Sequence, residues 1–62
     1  MLKVRYIGES NMHFTHNKKY ILIDIQENKY SFSVLLVDKY HKLTRYMYFD
    51  YDDFNKEFDI LG

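Results

Sequence analysis

Lys19-Tyr-Ile-Leu-Ile-Asp-Ile25, Gln26-Glu-Asn-Lys29 and Tyr30-Ser-Phe-Ser-Val-Leu-Leu-Val37 follow one another without a glycine or proline. In the last of these, Tyr30, Phe32, Val34 and Leu36 alternate with Ser31 and Ser33. Period two of this kind marks a half-buried strand, with the Tyr/Phe/Val/Leu face toward the core. In the first, Ile21, Ile23 and Ile25 alternate with Leu22 and Asp24, which predicts a second strand with Ile21 and Ile23 in the core. The polar stretch between them reads as a hairpin connection, with Asn28 suited to a left-handed conformation. An antiparallel hairpin in the middle of so short a chain makes the fold all-β.

The pattern extends both ways. Leu2, Val4 and Tyr6 alternate with Lys3 and Arg5, and Gly8 closes that strand. Residues 8–17 read as a polar loop anchored by Met12 and Phe14. Asp38-Lys-Tyr-His-Lys42 turns the chain into a strand from Leu43 to Phe49, both of whose faces are rich. There Leu43, Met47 and Phe49 share one face and Tyr46 and Tyr48 the other, with Met47 and Phe49 assigned to the core. Asp50 can cap a helical turn over residues 51–55, and a fifth short strand with Phe58 and Ile60 inward ends the chain. Five short antiparallel strands with one helical turn before the last predict a single domain over residues 1–62, a small barrel. With 62 residues and no cysteine, its stability rests on seven Tyr and five Phe rather than on disulfides.

Three segments carry a resemblance: Lys3-Val-Arg-Tyr-Ile-Gly8, Phe14-Thr-His-Asn-Lys-Lys-Tyr20, and Tyr51-Asp-Asp-Phe54 through Phe58. Together they resemble a group of short proteins of Firmicutes and their phages, over nearly the whole chain. The resemblance implies an SH3-like barrel. Its phage setting further implies action on a host protein, by covering a surface that ordinarily meets nucleic acid. Asn17 stands where the group has a turn glycine, a position asparagine tolerates.

Charge is unevenly placed. Residues 50–62 hold five of the nine carboxylates and one of the nine Lys/Arg, so they carry about −4 against about +4 over residues 1–49. Such a dipole steers association more than a zero net charge suggests. The leading expectation is a protein-binding module using Asp50, Tyr51, Asp52, Asp53 and Glu57, carboxylates interleaved with rings that suit a basic partner surface. The alternative is a nucleic-acid surface built from Lys3, Arg5, Arg45, Tyr46 and Tyr48, aromatic platforms flanked by cations. Surplus rings also suit contact with a second copy of the chain.

Other chemistry finds little support. His13 and His16 lie three apart but in a loop, without the third ligand a metal needs. No glycine-rich loop, nucleophile elbow or converging carboxylate pair is visible, so no catalytic residue, metal or cofactor is expected. Met1-Leu-Lys-Val-Arg-Tyr-Ile7 lacks the apolar core of a signal peptide, and no stretch is long enough to span a bilayer. A cytoplasmic, non-enzymatic protein without membrane contact is expected.

Overall fold

A computed structural model describes residues 1–62. Strands run over Leu2–Tyr6 (β1), Lys19–Glu27 (β2), Phe32–Val37 (β3) and Leu43–Tyr48 (β4). A helix over Tyr51–Glu57 (α1) then leads directly into the short strand Phe58–Ile60 (β5). All pairings are antiparallel, in the order β4-β3-β2-β1-β5. This meander with a helix before its last strand is compatible with an SH3-like barrel. The sheet is not closed, because β4 and β5 are not paired.

Instead α1 packs across the gap. Its one buried residue, Phe54, stacks on Phe58 of β5 at 5.0 Å and meets the ring of Tyr48 in β4 edge-on at 5.5 Å. The helix covers two turns where the sequence suggests one, because Phe54 and the Asp50 cap together stabilise it.

The core has eleven buried residues, six of them Tyr or Phe outside α1 and all but the loop residue Phe14 on the sheet, with Phe54 added from the helix. Phe14 reaches the core from the 7–18 loop and contacts Tyr6, Tyr20, Tyr46 and Phe58 at ring separations between 5.1 and 5.5 Å. Asn11 holds that loop in place: its side-chain oxygen accepts from the His13 and Phe14 N–H groups at 2.7 and 2.9 Å. Met12, the other expected anchor, is 84% exposed. Gly8 serves as a close approach rather than a left-handed turn. A Cβ there would lie 2.7 Å from the Tyr6 hydroxyl, which is fixed by donating to the Glu9 carbonyl at 2.8 Å. The left-handed positions are Asn17 and His41, both at φ 66°, and not Asn28.

Two faces differ from the sequence reading. In β2 the core residues are Tyr20 and Leu22, while Ile21 is half-buried and Ile23 and Ile25 are exposed. Leu22 pairs with the buried Leu36, which turns Tyr20 and Leu22 inward and Ile21 outward; Ile23 then falls in a bulge, beyond which Ile25 lies opposite Val34 yet stays exposed. In β4, Tyr46 and Tyr48 lie opposite Val34 and Phe32 and share their inner face. Leu43 and Met47 are therefore outward and exposed, and Phe49 lies beyond the strand end. Ile60, at the β5 edge, is also exposed rather than buried.

Candidate interaction faces

The acidic residues expected to form one rim divide into distinct roles. Asp50 is the N-cap of α1, accepting from the Asp53 N–H at 2.9 Å. Asp52 and Asp53 occupy the first helical turn, where the backbone dipole favours negative charge. Asp52 is exposed and Asp53 half-buried. Glu57 is half-buried and accepts from the Tyr48 hydroxyl at 2.8 Å, so it serves the fold as well as the surface. Tyr51 is rigidly held: its ring stacks on Phe32 at 4.3 Å and its hydroxyl donates to Glu27.

The residue that organises this face is Phe49, which the sequence reading placed in the core. It is 70% exposed and stands between two shallow grooves. One lies toward Met47, Asp53 and Glu57, the other toward Tyr30, Asp50 and Tyr51. Tyr30, assigned inward by alternation, is likewise exposed because β3 begins only at Phe32. Phe49 immediately precedes the helix cap, a position from which an apolar side chain often packs onto the fourth helical residue, here Phe54. It stays outside the core cluster instead. Glu27, Asp50, Asp53 and Glu57 line these grooves against Lys29 and Lys56, so the face is acidic.

Burial raises the Tyr48 phenol above its ordinary value, and the hydrogen bond to the Glu57 carboxylate adds to the effect. Desolvation likewise raises Tyr6, and the bond to Glu27 raises Tyr51. A phenol whose folded value lies above its unfolded one stabilises the fold fully below about pH 10. That contribution is lost as pH rises from there, because the unfolded chain ionises first. The melting temperature is expected to fall above about pH 10, less steeply in Tyr48→Phe than in the parent chain. Thermal melts across pH 8–12, with tyrosinate absorbance followed in parallel, check this; equal slopes in the two proteins would refute it.

The residues of the nucleic-acid alternative do not form one surface. Lys3, Arg5 and Arg45 lie on the outer side of the sheet, whereas Tyr48 is buried in the core and Tyr46 packs against it. Arg45 is also engaged: it lies 3.8 Å from Asp24 and donates to the Ser33 hydroxyl at 3.1 Å. The aromatic platform is missing because register with β3 turns both tyrosines inward.

His16 donates from Nδ1 to the Gly8 carbonyl at 2.9 Å, and no three His, Cys, Asp or Glu side chains are grouped to hold a metal ion. No helix is long and apolar enough to cross a membrane. No protein-family model, curated protein or solved structure matches this chain.

Proposed function

We propose that this chain is a non-catalytic binding module that docks a basic protein surface on the face centred at Phe49. The observation that carries this reading is the exposure of Phe49 amid carboxylates. Burying a phenylalanine is worth about 1.5–3 kcal/mol, a contribution that a domain with so small a core forgoes here. The ring instead stands on a fixed platform: the Asp50 cap on one side, and on the other Tyr51, locked to Phe32 and Glu27. Pre-ordered aromatic anchors ringed by charge are the usual energetic centre of a protein interface, and the surrounding charges steer approach. The resemblance to short phage and Firmicutes proteins extends the proposal to a host protein with a cationic surface as the partner.

Asp52 and Asp53 supply the steering part. Changing both to lysine should slow capture of a basic partner and flatten its salt dependence. Each reversal in the first helical turn should cost only about 0.3–1 kcal/mol, leaving the domain folded. The test is affinity capture from nuclease-treated host lysate with the parent chain, Asp52→Lys/Asp53→Lys and Phe49→Ala, with circular dichroism on each. A nuclease-resistant partner held by the parent and lost by both folded variants supports the proposal. Capture equal in all three would overturn it.

A further inference from the structure

At the other end of β3 from the Phe49 face, the 15–18 turn meets the 38–42 turn, and the two are tied by Lys18 Nζ to Asp38 Oδ2 at 3.3 Å. The groove between them is lined by Lys18, Lys19, Lys39, His16 and Tyr40, and contains no carboxylate. A neighbouring groove shares Lys19 and Lys39 and adds Lys3, together with Ile21, Val37 and Asp38. On the outer face of the sheet Arg5 lies directly opposite Lys19. Like charges facing each other across two strands are destabilising, and Arg5 makes no ion pair with Asp59 on its other side. A local conflict of this kind is expected where an external anion provides the compensation.

The aromatic component is Tyr40. It is 72% exposed, with Lys18 and Lys39 Nζ at 5.5 and 5.1 Å from its ring centre. The turn that presents it is ordered beforehand. Asp38 Oδ1 accepts from the Tyr40 and Lys42 N–H groups at 2.8 and 3.0 Å, and the His41 N–H donates to the Asp38 carbonyl at 3.0 Å. Asp38 is thereby occupied and does not compete for the remaining cations. The patch offers an exposed ring with two ammonium groups beside it, and Tyr40 is the one hydrophobic residue of its groove, a composition suited to a base and its flanking phosphates.

We propose that the Lys3/Arg5/Lys19/Lys39 patch binds single-stranded nucleic acid, with Tyr40 as the platform on which a base stacks. The chain would then carry two independent ligands at opposite ends, a basic protein on the Phe49 face and a nucleic-acid strand here. Three to four neutralised phosphates predict a log–log salt slope of about −2 to −3 for a single strand.

The probe is a fluorescein-labelled 20-nucleotide oligo-dT, titrated by anisotropy at 20 and 200 mM NaCl. The expected result is binding at low salt that weakens about 100-fold or more over that range. Tyr40→Ala should weaken it about 10-fold at constant salt, and Lys19→Glu/Lys39→Glu should abolish it. Asp52→Lys/Asp53→Lys, at the other end, should not weaken it, which separates this site from the Phe49 face. Lys19, Lys39, Tyr40 and Asp52 are exposed and Asp53 is half-buried, and melting curves confirm that the variants fold. Absence of binding at 20 mM NaCl would overturn the proposal. So would affinity indifferent to Tyr40→Ala, or matched by poly-glutamate, since either would reduce the patch to a general polyanion attractor.

Discussion

Phe32→Ala is expected to unfold the domain at ordinary temperature. Phe32 is 4% exposed and is the ring on which one whole side of the molecule rests. Tyr51 stacks on it at 4.3 Å, Tyr48 at 5.9 Å, and Phe54 meets it edge-on at 6.3 Å. Truncating a buried phenylalanine costs about 3–5 kcal/mol. Each aromatic pair lost is worth about 0.5–1.5 kcal/mol beyond its buried area. Small domains have little more stability than that in total, on the order of 5 kcal/mol. The same truncation removes the seat of Tyr51, and with it the link between α1 and the β2 end at Glu27. Thermal denaturation followed by near-ultraviolet circular dichroism is the measurement. The expected outcome is no cooperative transition, or one lowered by roughly 20 °C or more. A variant melting within a few degrees of the parent would contradict this account of the core.

Phe49→Ala should do the reverse, leaving the fold and removing the binding. Because the ring is mostly exposed, its loss should change stability by no more than about 0.5 kcal/mol. A central aromatic anchor of an interface is worth about 2–4 kcal/mol on truncation. With about 1.4 kcal/mol per tenfold change, the dissociation constant for the captured partner should rise by roughly 30- to 1000-fold. Most of this should come from faster dissociation, in contrast to Asp52→Lys/Asp53→Lys, whose effect falls on association. Surface-plasmon kinetics on both variants distinguish the anchor from the steering charges. Unchanged affinity in Phe49→Ala would place the interface elsewhere. A large fall in melting temperature would mean that the ring supports the fold.

Local chemistry carried much of the architecture. The Phe32/Val34/Leu36 alternation against serines, the Asp50 cap and the turn-rich spacing were enough to predict five antiparallel strands and a short helix before the last. That Asn17 stands in a left-handed turn was implied by the resemblance, since that group has a turn glycine at that position. Faces were legible only where polarity alternated. Tyr20–Ile23 is apolar throughout, and the 43–49 strand offers bulky residues on both sides, so period two alone had no basis for a choice there.

The surface chemistry followed from those unresolved choices. Once β3 pairs with β4, Tyr46 and Tyr48 turn into the core, and a predicted aromatic platform disappears from the outside. The same register leaves Phe49 past the strand end, beside the acidic helix, where no alternation rule applies. The sequence marks residues 38–42 only as a turn; the meeting of Tyr40 with Lys18 and Lys19, some twenty residues away, depends on the pairing of β2 with β3. The sequence by itself determined the strands, their antiparallel sense and the electrostatic split of the chain, because these depend on neighbours within a few residues. Which side of each strand is buried, and which rings stand among which charges, was decided by tertiary structure. A one-residue bulge or a register choice between distant strands exchanges inside for outside at every later position.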